Sequence, residues 1–145
     1  GESRKVFSLS DDQKKVGARL GWPASFLLVD GRYDTEQDEG RIEVWFYPKV
    51  KKSFSFKNGR FMGETDLKET PEKYAPNPVR PTWFSKKLTK EDIIARLGAP
   101  SKEKKKMSDK DFGEIEAIFF PKANAYVCFK DDHLMFIETK VLKKS

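Results

Sequence analysis

Arg41-Ile42-Glu43-Val44-Trp45-Phe46-Tyr47-Pro48-Lys49 returns 73 residues later as Glu114-Ile115-Glu116-Ala117-Ile118-Phe119-Phe120-Pro121-Lys122. β-Branched and aromatic residues alternate with polar ones in both stretches, the period-2 pattern of a strand with one face buried. Each stretch stops at a proline, which has no N–H to give a ladder. A hairpin pattern follows each: Ser53-Phe54-Ser55-Phe56-Lys57-Asn58-Gly59-Arg60-Phe61-Met62, then Tyr126-Val127-Cys128-Phe129-Lys130-Asp131-Asp132-His133-Leu134-Met135. Asn58-Gly59 suits a type I′ turn, whose two central residues need positive φ; Asp131-Asp132 is a poorer pair at the matching place. Ahead of the strands, Ala18-Arg19-Leu20-Gly21-Trp22-Pro23 matches Ala95-Arg96-Leu97-Gly98-Ala99-Pro100. Three blocks thus recur in one order, offset by 77 residues in the first and 73 in the others, so one loop is four residues longer in the first copy. Such order-preserving self-similarity reads as an internal duplication.

Each copy is expected to open with a helix. Thr89 suits the cap of the second, with Asp92 three residues on and Leu88 placed to staple onto Ile93; Ser10, Asp11 or Asp12 suits the first. Gly21 and Gly98 stand where a left-handed C-cap belongs, each with proline two residues later. Ile93, Ile94 and Leu97 form an apolar stripe, whereas the first copy offers Val16, Leu20 and the weak helix former Gly17. A strand is expected over 26–29, with a more polar counterpart over 103–107. The fold expected is α+β: two tandem repeats, 1–65 and 88–145, each a helical segment packed on a small antiparallel sheet. Residues 66–87, with Pro71, Pro76, Pro78 and Pro81, read as a linker whose Trp83 and Phe84 dock onto a core.

Composition narrows the chemistry. Among 145 residues, 37% are hydrophobic and 12 are Phe, enough for an ordered core. No apolar run approaches the roughly 18 residues of a membrane span. One His and one Cys exclude a zinc finger, a disulfide framework and a two-His metal site within one chain. They also speak against Ser–His and Cys–His catalysis. The net charge of +6 comes mostly from Lys, which argues against specific reading of nucleic acid. Asp111-Phe112-Gly113 spells the kinase metal motif without a glycine-rich loop and its lysine. Asp109-x-Asp111-x-Gly113 lacks the closing Glu of a calcium loop. His133 reads as a surface residue and Cys128 as a small buried one. No catalytic residue, cofactor or metal is expected. Gly1 reads as a scar of tag removal, and Glu2-Ser3-Arg4-Lys5 is polar, as after a removed export signal.

Leu88-Thr89-Lys90-Glu91-Asp92-Ile93-Ile94-Ala95-Arg96-Leu97-Gly98-Ala99-Pro100, followed by Tyr126-Val127-Cys128-Phe129-Lys130-Asp131-Asp132-His133, resembles a repeat of known proteins. It is similar to the tandem repeats of the β-lactamase-inhibitor-protein-like (BLIP-like) fold and of the related small outer-membrane lipoproteins of the SmpA/OmlA (BamE-like) type. With both copies counted, the resemblance covers most of the chain, on short motifs. It implies a bacterial protein of the periplasm or envelope, or a secreted one, that binds another protein without catalysis. It further implies helices on one face of a sheet and an open opposite face. Known inhibitors of this class carry disulfides, which a chain with one Cys cannot form internally.

Alternation then assigns faces. Ile42, Val44, Phe46, Phe54, Phe56, Phe61, Val127, Phe129, Leu134 and Phe136 are expected beneath the helices. Glu43, Trp45, Tyr47, Met62, Glu116, Ile118, Phe120, Tyr126, Met135 and Ile137 are left for the second face. Such a patch suits protein binding, with Trp45, Tyr47, Phe120 and Tyr126 as anchors and Glu43 and Glu116 giving polar orientation. Two other readings stay open. The face is buried between the copies or beneath Trp83 and Phe84, or the same aromatics line a groove between the repeats that carries a small molecule or lipid. The acidic loop from Asp30 to Gly40 and the basic stretch from Lys102 to Lys110 read as solvated segments that help the halves attract. The expected partner is a protein rather than a specific nucleic acid, with peripheral association at an envelope and a monomer or weak dimer.

Overall fold

The alternating stretches become strands, and their neighbours decide how many sheets result. The computed structural model describes residues 8–30, 40–85, 88–109, 113–130 and 133–144. The first half holds α1 (Asp11–Leu20), β1 (Ser25–Asp30), β2 (Arg41–Tyr47), β3 (Lys52–Lys57) and β4 (Arg60–Asp66). After β5 (Tyr74–Ala75) come α2 (Lys90–Leu97), β6 (Lys104–Asp109), β7 (Gly113–Phe120), β8 (Ala125–Lys130), β9 (His133–Thr139) and β10 (Leu142–Lys143). Eight strands form one antiparallel sheet in the order β4-β3-β2-β1-β9-β8-β7-β6, and β5 pairs with β10 in a second, two-stranded sheet.

This corrects the expected pair of tandem helix-on-sheet repeats. The protein is mostly β, with one continuous eight-stranded sheet and two short helices among the described residues. The reason lies in β1, Ser-Phe-Leu-Leu-Val-Asp, which is apolar on both faces. An apolar strand at a sheet edge is a template for unwanted pairing. β1 escapes that position by pairing β2 on one side and β9 on the other, with Leu27↔Glu138, Leu28↔Ile137 and Val29↔Phe136 at the seam. The recurring blocks carry each meander but say nothing about which edge of one meets which edge of the other.

Local signals work as their chemistry requires. Ser10 and Thr89 cap α1 and α2 in full capping boxes with Gln13 and Asp92. The helices stop at Gly21 (φ 77°) and Gly98 (φ 91°), where a Cβ would be strained. Asn58 and Gly59 both take positive φ in the β3–β4 turn. The matching Asp131-Asp132 turn, Asp111 and Phe112 of the Asp-Phe-Gly motif and most of the acidic loop after Asp30 lie outside the described residues. So does the side chain of His133.

One face of the sheet carries the core. Phe26, Leu28, Trp45, Tyr47, Phe54, Phe56, Phe120, Val127, Leu134 and Ile137 are buried there with Val16 of α1 and Ile93 and Leu97 of α2. The segment before α2 completes the cover with Val79, Phe84 and Leu88. Phe84 packs on Phe26 with ring centroids 6.1 Å apart. Asn77 ties the same segment to both halves. Its N–H donates to the Ala24 carbonyl, and its Nδ2 donates to the carbonyls of Ala123 and Lys140.

The expected face assignment is therefore reversed for β2 and β7. Trp45 stands opposite Phe54 and Glu43 opposite Phe56, while Ile118 faces Val127 and Phe120 faces Ala125. Residues directly opposite share a face, so Glu43, Trp45, Tyr47, Ile118 and Phe120 join the core side. Ile42, Val44 and Phe46 turn away from it. Alternation within a strand fixes two sets of residues but not the phase between strands. That phase is set here by the 3-10 turn Pro48–Val50 and by Lys51 at φ 59°. In β9 the phase also slips. Met135 is an extra residue between the pairs Cys128↔Phe136 and Phe129↔Leu134, so Leu134 and Ile137 both reach the core and Phe136 does not. Met62 is the corresponding extra residue between Ser55↔Gly63 and Phe56↔Phe61.

Candidate binding face

Of the residues expected to bind, the helix side takes most. Trp45 is 1% exposed, Phe120 0%, Tyr47 5% and Glu43 2%. Trp45 lies with its centroid 4.9 Å from Phe56 and Tyr47 meets Phe54 edge-on, so both are core packing. Ile118 is half-buried against the same core. The Tyr47 hydroxyl donates to the Gly21 carbonyl at 2.9 Å, and burial pushes its pKa well above the usual 10.0.

Glu43 is the centre of a buried network rather than a surface contact. Its Oε2 accepts from Gln13 Nε2 of α1 at 2.8 Å and from Arg41 Nε at 3.2 Å, and its Oε1 accepts from Trp45 Nε1 at 3.3 Å. Arg41, 1% exposed, sends its other nitrogens to the carbonyls of Phe84 (2.8 Å) and Pro81 (3.1 Å). Two charges are thus neutralised and hydrogen-bonded inside the core, the condition under which burial of an ion pair is tolerated. The network ties α1, β2 and the segment before α2 together.

The other expected residues divide. Glu116 is exposed near the β6 edge, and its carboxylate meets Lys104 Nζ at 3.1 Å. Met62 is 61% exposed on the edge strand β4, while Met135, at the corresponding place in β9, is 2% exposed. The difference follows from the neighbouring side chains: the sheet offers Met135 the large Tyr126, Cys128 and Phe136, where the matching positions near Met62 are Ser53, Ser55 and Gly63. Met135 packs with Ala117 and Cys128 in a small cluster flanked by Ile115, Tyr126 and Phe136.

That cluster lies on the helix-free face, where Tyr126 and Met135 were expected beside Trp45, Tyr47, Ile118, Phe120 and Ile137, which are instead on the helix side. By register, Ile42 stands beside Val29, which stands beside Phe136, which stands beside Cys128. A parallel row runs from Val44 to Leu27, then Glu138, Tyr126 and Phe119. Ile42 is 44% exposed, and Val44, Leu27, Val29, Phe119, Tyr126 and Phe136 are half-buried. Lysines rim the rows. Lys57 is opposite Ile42, and Lys105 and Lys140 hold their ammonium groups 5.5 and 5.6 Å from the Tyr126 ring centroid. Phe119 stacks on the same ring at 4.9 Å. The alternation of Ile42, Val44 and Phe46 is plain in the sequence. What the sequence lacked was the phase that aims them outward.

A cavity of about 310 Å³ opens where the two meanders meet, lined by Ser25, Phe46, Pro48, Leu67, Pro71 and Thr139 among others. A second recess, of about 270 Å³, lies along α1 over Trp22 and Trp45. Among the described residues no three of His, Cys, Asp or Glu gather as metal ligands, and no helix is long and apolar enough to cross a membrane. No family model, curated protein or solved structure matches the chain.

Proposed function

We propose that this chain is a non-catalytic protein-binding module that uses the helix-free face of its sheet. The observation that carries the reading is the pair of apolar rows through Ile42–Val29–Phe136 and Val44–Leu27–Tyr126, left partly open on an antiparallel sheet. Open sheet faces are ordinarily polar, and an apolar one marks an interface; here Glu138 is the one carboxylate within the rows, between Leu27 and Tyr126. The rim of Lys57, Lys105 and Lys140 selects the partner's chemistry: an apolar patch bordered by carboxylates. A bacterial envelope or secreted setting, which the family resemblance implies, belongs to the same proposal.

The test places a photocrosslinking residue at Ile42 and, as a control, at the exposed Val50, then reconstitutes any captured protein in pure form. Val44→Glu should weaken its binding at least tenfold, since a buried charge opposite an apolar patch costs more than about 1.4 kcal/mol. Lys105→Glu should weaken it less and flatten its salt dependence. Equal capture at both positions, or binding indifferent to Val44→Glu, overturns the reading.

A second reading has one observation in its favour. The cavity at the seam suits a small apolar ligand, although it is lined by Phe46 and not by Trp45, Tyr47, Phe120 or Tyr126. Thermal stabilisation by fatty acids or aromatic acids, lost in Ser25→Trp and unchanged in Val44→Glu, would favour it over the protein-binding face.

A further inference from the structure

The eight-stranded sheet ends in two open edges, β4 and β6. These edges are counterparts of the two strands already joined inside the molecule. β2 and β7 carry the recurring block, so Val44 corresponds to Ala117. Leu27 stands opposite Val44, and Lys105 stands opposite Ala117. Lys105 therefore holds the place of Leu27, and Lys106 that of Leu28. On the other side, the hairpin block makes Glu64 the counterpart of Ile137 and Thr65 that of Glu138. β6 is thus a β1-like edge and β4 a β9-like edge.

We infer that copies of this chain associate head to tail, with β6 of one copy pairing antiparallel to β4 of the next in the register of the internal seam. Transferring that register sets Lys106 opposite Glu64 where the seam has Leu28 opposite Ile137. Two residues along, it sets Lys104 opposite Asp66. All four side chains lie on the helix side of the sheet, since Lys104 stands opposite Ile118, Lys106 opposite Glu116, Glu64 opposite Phe54 and Asp66 opposite Lys52. Charges directly opposite across a strand pair attract when unlike and repel when like.

The arrangement also selects against the alternatives. In the registers that bring these same residues together, β6 against β6 places Lys104 opposite Lys106, and β4 against β4 places Glu64 opposite Asp66. Lysines on an edge ordinarily prevent sheet-to-sheet contact, and here, in the register of the internal seam, they meet carboxylates instead. Within a copy the acidic edge is offset in part by Lys52, which meets Asp66 at 2.7 Å and Glu64 at 3.4 Å, and the basic edge by Glu116, which meets Lys104. Of the facing residues, the two carboxylates of β4 thus share one lysine and the two lysines of β6 one carboxylate. The side chains are solvent-exposed, so the pairs exchange at little cost. Replacement of an apolar seam pair by an ionic one makes the contact between copies reversible and salt-sensitive. A heterologous contact of this kind does not close on itself and yields open chains whose length follows concentration. The paired charges lie on the helix side, and Lys105 of β6 borders the helix-free face, so with Lys105 left unchanged this inference and the proposed function fail independently.

The experiment is sedimentation velocity over a concentration series from micromolar to near-millimolar, at low and high salt. Three proteins are compared: the wild type, Lys104→Glu/Lys106→Glu and Glu64→Lys/Asp66→Lys, each with its melting temperature checked. The single changes Lys106→Glu and Glu64→Lys stand in if either double variant unfolds. Wild-type mass should rise with concentration and fall with salt. Each variant alone should remain monomeric, because its own edges now repel, and an equimolar mixture of the two should assemble as the wild type does. A wild type that stays monomeric throughout, variants that assemble unaided, or a mixture that does not assemble each overturn the inference.

Discussion

Glu43 shows how far a single residue can depart from its surface appearance. In sequence it is a charged residue on a strand, alternating with Ile42 and Val44, and such residues ordinarily face water. In the fold it accepts from Gln13, Arg41 and Trp45 beneath α1. Glu43→Leu should cost about 3–5 kcal/mol, since it strands a buried guanidinium. Arg41→Met combined with Glu43→Leu should cost clearly less than the two single changes summed. Urea denaturation of the four proteins in the cycle measures this, and additive losses would show that the pair is not coupled. The partners that make burial of Arg41 possible are the carbonyls of Pro81 and Phe84, supplied by a proline-rich segment some forty positions away. No local pattern announces a backbone acceptor, which is why Glu43 read as a binding residue.

At the scale of the element, caps and turns were the legible part. Thr89 with Asp92, the glycine stops and Asn58-Gly59 each act through bonds within a few residues, so their chemistry is written locally. Strand phase was not, because it depends on the residue count in connections and on bulges. The two bulge methionines give the cleanest measure of what an element's neighbour contributes. Met62 and Met135 hold matching positions, yet one is 61% exposed and the other 2%. Met135→Ala should therefore lower stability by about 2–3 kcal/mol, and Met62→Ala by less than about 0.5 kcal/mol. Similar losses at both sites in chemical denaturation would contradict the difference in packing between the two bulges.

At the scale of the whole molecule, two recurring stretches of sequence became one sheet. The duplication was visible and the seam was not, since nothing in either copy names its partner edge. Leu28 and Ile137 are both fully buried across that seam. Leu28→Ala should cost about 3 kcal/mol and weaken both halves together. In a Trp83→Phe background, fluorescence of Trp22 and Trp45 in the first half and amide exchange of 115–120 in the second should then report one coincident transition. Two separated transitions would show that the halves are held by their own cores.

The seam also has a consequence for how the protein is made. Phe26 and Thr139, joined there through the Thr139 hydroxyl, are 113 residues apart. At about 10 residues per second, a ribosome spends roughly ten seconds between delivering β1 and delivering its second neighbour. Throughout that interval the nascent first half carries Phe26-Leu27-Leu28-Val29 with one flank uncovered. Polysomes bring many such halves close together. Synthesis rate and chaperone supply, more than the stability of the finished fold, should therefore govern the yield of native protein from a cell.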